Sequence, residues 1–120
     1  MQPDVEDAAF LWDMLEAARG VRELVAGMTF EQYAADRRTF RAVERELEII
    51  GEAARNLSQS FRSAHAGLPW ARIIAQRHVL AHEYGRIRQD LLWKVITERL
   101  PELSVYLEAL LPPLPPDPTQ

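Results

Sequence analysis

Arg77, His78, His82 and Tyr84 fall within one short run, Arg77-His78-Val79-Leu80-Ala81-His82-Glu83-Tyr84. No other stretch concentrates groups able to bind phosphate and move protons. Arginine offers planar, paired donors to a phosphate. Histidine gives and takes protons near neutral pH. Together they form a minimum kit for metal-free RNA cleavage. A base takes the proton from a ribose 2′-OH, the oxygen attacks the adjacent phosphorus, and the arginine steadies the developing charge. On a regular helix, at ~100° per residue, Arg77 and Tyr84 lie within ~20° and His78 and His82 within ~40°, but Arg77 and His82 are ~140° apart. For Arg77 and His82 to share a site, the helix must end or deform near His82, or a second chain must complete it. Gly85 suits a helix C-cap. The same residues also fit a charged helix end, with His82 in the core and Arg77 in a surface ion pair.

The elements that must position this run read as all helical. A first helix is expected from about Val5 to Ala26, behind Asp4 as N-cap. Ala9, Leu11, Leu15, Ala18, Val21 and Val25 form its apolar stripe. Thr29 and Gln32 make a capping box for a short helix through Ala35. A long helix from about Asp36 to Leu57 carries Phe40, Val43, Leu47, Ile50 and Ala54 on one face. Gly51 in its middle weakens it unless another helix approaches closely there. Ser58 to Leu68 reads as a loop. Pro69 suits the first turn of the helix that carries the motif. Another helix runs from Asp90, as N-cap, to Leu100, and Pro101 either kinks it or starts a last one ending near Leu111. This gives one domain over 1–111, an up-and-down bundle of about five helices, and an extended proline-rich tail over 112–120.

Composition bounds the function. The chain of 120 residues, 48% hydrophobic, suits a single core. It has no cysteine, hence no disulfide framework or thiolate metal site, which fits the cytoplasm. The acidic start, MQPDVEDAAF, lacks the basic region of a signal peptide. No apolar run approaches the ~20 residues that cross a bilayer. Net charge −4 argues against broad nucleic-acid binding. Locally, however, four arginines from Arg72 to Arg88 face only Glu83. His78 and His82 have the spacing of two zinc ligands, but no third ligand is evident beyond His65 or a carboxylate, so no metal and no cofactor are expected. Arg37, Arg38, Arg41 and Arg45 interleave with Glu44, Glu48 and Glu52, as helical ion pairs do. One or two of them could instead border an RNA site. Trp70 and Trp93 read as core or dimer packing.

Arg77-x4-His82-x-Tyr84 resembles the R-x4-H-x-Y signature of HepT-like toxins, a branch of the HEPN superfamily. Glu48-Ile49-Ile50-Gly51-Glu52-Ala53-Ala54 resembles the family's IGEA segment. Pro69-Trp70 with Ile73-Ile74 resembles the start of its motif helix. Leu91-Leu92-Trp93 and Leu100-Pro101-Glu102-Leu103 resemble its last two helices. The likeness spans roughly residues 5–110. One departure is His78, where this branch more often carries asparagine. The resemblance implies an all-α, HEPN-like symmetric homodimer and a toxin endoribonuclease of a toxin–antitoxin pair, with no metal or other cofactor. Arg77 and His82 of both protomers would then be catalytic at a shared cleft, with His82 moving protons and Arg77 clamping phosphate. His78 and Tyr84 would support them. It further implies that a MntA-type nucleotidyltransferase antitoxin attaches AMP to Tyr84. The competing expectation is a non-catalytic subunit that binds a nucleotide or a minimal nucleotidyltransferase. Apolar surface around Gly51, Trp70 and Trp93 is expected to be left for a second copy.

Overall fold

Each of the first three helices starts where a side chain caps it. The computed structural model describes residues 4–82 and 87–111, with Ala81 and His82 as helical backbone only. Asp4 accepts from the Asp7 amide at 2.8 Å and opens α1 (Val5–Leu24). Gly27, at φ +76°, turns the chain in a conformation that side chains disfavour. Thr29 and Gln32 bond reciprocally to each other's amides, at 3.2 and 2.9 Å, and open α2 (Phe30–Ala35). Asp36 accepts from the Thr39 amide at 3.1 Å and opens α3 (Arg37–Asn56).

α3 is the central element, packed between α1 and α5 (Trp70–His82). Leu11, Leu15, Ala18 and Val21 of α1 meet Val43, Leu47, Ile50 and Ala54 of α3 in one core. Full burial of each large apolar side chain stabilises the fold by roughly 1.5–3 kcal/mol. Phe40 is only half-buried, and Ala9 is exposed while Met14 and Ala17 are buried. The reason is that α1 touches α7 (Leu100–Leu110) as well as α3, so its buried face is wider than a single stripe.

Two local expectations need correction. Ser58 to Leu68 is not all loop, because it holds α4 (Gln59–Ala64). Ser58 caps α4 by accepting from the Phe61 amide at 3.1 Å, and its own hydroxyl and amide donate to buried Asp7 at 2.7 and 2.8 Å. Asp90 is not a cap. Arg88 holds that position before α6 (Gln89–Lys94) with no capping bond, and Asp90 pairs with it instead. Of the two readings of Pro101, the second holds: it stands in the first turn of α7 (Leu100–Leu110), whose C-cap is Leu111. α6 passes into α7 through a π-helical turn at Val95–Arg99, in which the Leu100 amide reaches the Val95 carbonyl. A proline has no amide to give and its ring crowds the preceding turn, which the wider turn accommodates.

The described residues contain helices and no strand, the all-α class expected. Trp70 is buried against Phe61, and its indole donates to the His65 carbonyl at 2.9 Å. Trp93 is covered by Tyr33 and Phe30, at 5.1 and 6.1 Å between rings. Gly51 is buried too. The surface expected to need a second copy is therefore largely closed within one chain. Val79 and Leu91 remain exposed on either side of residues 83–86, in chain order. Tyr84, the Gly85 cap and the tail over 112–120 lie outside the described residues.

Candidate active site

Gly51 places Arg77. A Cβ built on Gly51 would stand 2.2 Å from the Arg77 Cβ, and 3.0 Å from both the Arg77 Cγ and the Ile73 carbonyl oxygen. The stem of Arg77 thus lies directly over a gap that only glycine leaves. This is the close helix approach that a mid-helix glycine predicts. Beyond the crossing, Arg77 Nε comes 3.1 Å from Glu52 Oε2. The contact is an ion pair without a hydrogen bond, since the N–H does not point along it. Arg55 donates to Glu52 at 2.8 and 3.4 Å, and Asn56 at 3.3 Å. The Arg55 hydrogen bonds, followed by the charges of Arg55 and Arg77, hold the Glu52 carboxyl below the usual carboxylate range.

Arg77 borders a cleft of about 250 Å³ between α1 and α3, with Phe10, Asp13, Arg45, Glu48 and Glu52 around it. Arg45 is the strip arginine that reaches this cleft. Arg41 and Arg45 pair with Glu44 and Glu48 at 2.8 and 3.4 Å, as helical spacing suggests. The expected local excess of arginine is reduced by carboxylates the run itself does not contain, because Glu52 meets Arg77 and Asp90 meets Arg88. The surface-pair alternative for Arg77 is thus correct about the contact, yet 29% of the side chain remains open to an incoming anion.

His78 is exposed on α5. Among the described residues, no three His, Asp or Glu side chains gather as a metal site. α5 stays a regular α-helix through His82, so positions 77 and 82 are ~140° apart round its axis. No deformation within α5 brings them onto one face.

Beyond residues 83–86, α6 is held by long-range contacts the sequence does not announce. The Tyr33 hydroxyl donates to Gln89 Oε1, and Gln89 Nε2 donates to Glu44 Oε2. Arg41 holds Glu44 with bonds of 2.8 and 3.0 Å. Burial, then the charge of Glu44, pushes the Tyr33 phenol well above its usual range. Glu52 was read only as a neighbour within α3. The signal that it meets α5 was Gly51 beside it, since a close crossing there must bring an α5 side chain alongside.

Comparison with known proteins identifies the family. The family model "HepT-like: Ribonuclease HepT-like" matches residues 14–110. The chain is similar to "Putative RNase MJ1380" of Methanocaldococcus jannaschii, 36% identical over 83% of this chain and 92% of that protein. It is similar to "Probable ribonuclease HepT" of Thermococcus cleftensis, 36% identical over 84% of this chain and 92% of that one. "Putative RNase TTE0752" of Caldanaerobacter subterraneus subsp. tengcongensis is 36% identical over 85% of this chain and 91% of its own length. No solved structure matches the chain. With a family model covering most of its length and these relatives covered almost end to end, the chain belongs to the HepT-like ribonuclease family.

Proposed function

We propose that this protein is a toxin endoribonuclease that cuts RNA without a metal at a site completed by a second copy. The observation that carries the reading is Arg77, its stem held over Gly51 and its side chain, 29% exposed, bordering a cleft. An incoming RNA phosphate takes the donors of Arg77 that Glu52 leaves. His82 takes the proton of the 2′-OH as that oxygen bonds to phosphorus; the P–O5′ bond breaks and the 5′-oxygen leaves as a hydroxyl on gaining a proton. Because positions 77 and 82 diverge by ~140° on a regular helix, Arg77 of one protomer works with His82 of its partner. A symmetric homodimer creates two such pairings. His78 supports the site from the next position on α5, and Tyr84 lines it.

Family membership supports the RNA substrate, since the relatives are named as ribonucleases. A MntA-type nucleotidyltransferase antitoxin then neutralises the enzyme by attaching AMP to Tyr84. The added phosphate brings bulk and negative charge to the place RNA needs. The protein acts in the cytoplasm, and no described helix is long and apolar enough to cross a membrane. The alternative, a non-catalytic subunit of a nucleotidyltransferase, draws on Asp13, Glu48 and Glu52 around Arg77, which suit a basic partner as well as they tolerate RNA.

The deciding assay uses purified protein, RNA and EDTA. Cleavage should persist in chelator, leave a 2′,3′-cyclic phosphate and spare DNA, which has no 2′-OH. Arg77→Ala and His82→Ala should each abolish it. Folded wild-type protein that binds RNA or a nucleotidyltransferase but leaves RNA intact would establish the binding-subunit reading. For the antitoxin step, intact mass after co-expression with the nucleotidyltransferase should show AMP on wild type and none on Tyr84→Phe.

A further inference from the structure

The arginine strip on α3 is unfavourable for the helix that bears it. α3 has no acidic residue in its first turn, and three of its first five residues are Arg37, Arg38 and Arg41. Positive charge there opposes the helix macrodipole, whose N-terminal end is itself positive. Asp36, the N-cap, supplies one negative charge against the three. Ion pairing does not account for the strip either. Arg41 and Arg45 pair with Glu44 and Glu48, but Arg37 and Arg38 form no ion pair among the described residues.

The strip leads to the candidate active site. At ~100° per residue, Arg38, Arg41, Arg45 and Glu52 fall within ~60° of one another round α3. That line faces outward, because Val43, Leu47, Ile50 and Ala54 are buried on the opposite side. It rises ~21 Å from position 38 to position 52, at ~1.5 Å per residue. At one end Glu52 meets Arg77, and Arg45 stands in the same cleft of about 250 Å³. At the other end Arg37 and Arg38 line an open hollow of about 650 Å³ with Met28 and Ala35. Arg41 is steadied between the two. Its guanidinium lies 5.1 Å from the centre of the Phe40 ring, and both of its bonds to Glu44 come from one nitrogen. The side chains of Arg41 and Arg45 remain 42% and 68% exposed. Beside this line, Asp13, Glu16 and Glu46 border a groove along α1. Their charge repels phosphate and confines it to the arginines.

We propose that Arg38, Arg41 and Arg45 form a track for single-stranded RNA, binding phosphates of the strand on one side of the phosphate that Arg77 holds. The cut rests on the ribonuclease reading, whereas binding along the track does not. A line of charge one helix face wide suits a single strand, whose backbone bends to follow it. Contacts to phosphate fix where the strand lies and read no sequence. The hollow at Met28 and Ala35 offers an apolar surface to a base beyond Arg38.

The test is Arg38→Gln and Arg45→Gln, singly and together, because glutamine removes the charge and keeps helix propensity. Arg99→Gln, on the turn between α6 and α7, is the control for overall charge. All three sites are exposed, so melting temperature should change little. Binding is measured first with a single-stranded DNA of ~12 nucleotides, which carries the phosphates and lacks the attacking hydroxyl. Arg38→Gln and Arg45→Gln should each weaken it about two- to fivefold, as loss of an exposed charge contact does. Each should also lower the slope of log affinity against log salt by ~0.7. On RNA of the same length, KM should rise by the same factor while kcat changes little. A double variant with wild-type affinity and salt slope overturns the track, whether or not RNA is cut. An equal loss in Arg99→Gln reduces the effect to overall charge and overturns it as well. Wild type that binds poly-glutamate through these arginines and no nucleic acid assigns the strip to an acidic protein, a third way to overturn it. If the DNA results hold and wild type cuts no RNA, the ribonuclease reading fails and the track stands.

Discussion

Gly51→Ala asks whether the α3–α5 crossing sets the site. The added methyl would lie 2.2 Å from the Arg77 Cβ. Carbon atoms rest about 3.5–4.0 Å apart, so the helices must separate by ~1.3–1.8 Å or tilt. Neither close neighbour is a loose end, for one is the first carbon of Arg77 and the other the Ile73 carbonyl. Overpacking of this kind costs roughly 1–3 kcal/mol. Alanine returns up to about 1 kcal/mol through helix propensity. The clash should win, with a net loss of about 1–2 kcal/mol and a melting temperature lower by roughly 4–8 °C for a domain of this size. Cleavage should suffer more than stability suggests, because displacing a reacting group by ~1 Å can cost about 10²-fold. The assay is RNA cleavage at a temperature where circular dichroism shows both proteins folded. Gly67→Ala is the control, since a Cβ there meets nothing within 4 Å. A Gly51→Ala protein as stable and as active as wild type would refute the reasoning. One that melts early yet cuts RNA at the wild-type rate would confine Gly51 to packing.

Further outcomes follow from the same contacts. Mixing Arg77→Ala with His82→Ala protein should restore up to about a quarter of wild-type cleavage, since half of randomly formed dimers carry one intact pairing of two; no restoration at any mixing ratio, in dimers shown to exchange subunits, would place the site within one chain. Arg77→Lys should lose cleavage by about 10²-fold, because lysine lacks the planar fork; near-normal kcat in this variant would remove the clamp role. Asp36, Glu52 and Asp90 lie below their ordinary values of 3.8, 4.5 and 3.8, through the Thr39 amide, Arg55 and Arg88 respectively. Depressed carboxyls add stability above their unfolded values and lose it as pH falls through the folded ones, so melting temperature should decline below about pH 4.5. Glu46, raised by burial, works in the opposite direction and blunts the decline. A melting series from pH 7 to 3 checks this, and Asp36→Ala should flatten the acid limb.

What could be read from the chain and what could not divide along a physical line. Caps at Asp4 and Thr29 were legible because donor and acceptor lie three residues apart, and Asp36, read only as the start of the long helix, caps it by the same spacing. α4 obeys the same rule at Ser58, but its six residues carry only Phe61 into the core, too little apolar periodicity to announce a helix. Gly51 was legible as a close crossing because glycine in mid-helix has few other compensations. The face that Arg77 presents was not, since it depends on Glu52, 25 positions earlier in sequence. Asp90 was misjudged for a related reason. A residue fit to cap can instead pair with a neighbouring arginine when something else holds the helix. That something is Gln89, bonded to Tyr33 and Glu44 at sequence separations of 56 and 45. Local spacing therefore located the candidate run. The orientation of Arg77 within it rests on a long-range partner, Glu52, whose charge also reduces the basic character that the run shows when its residues are counted alone.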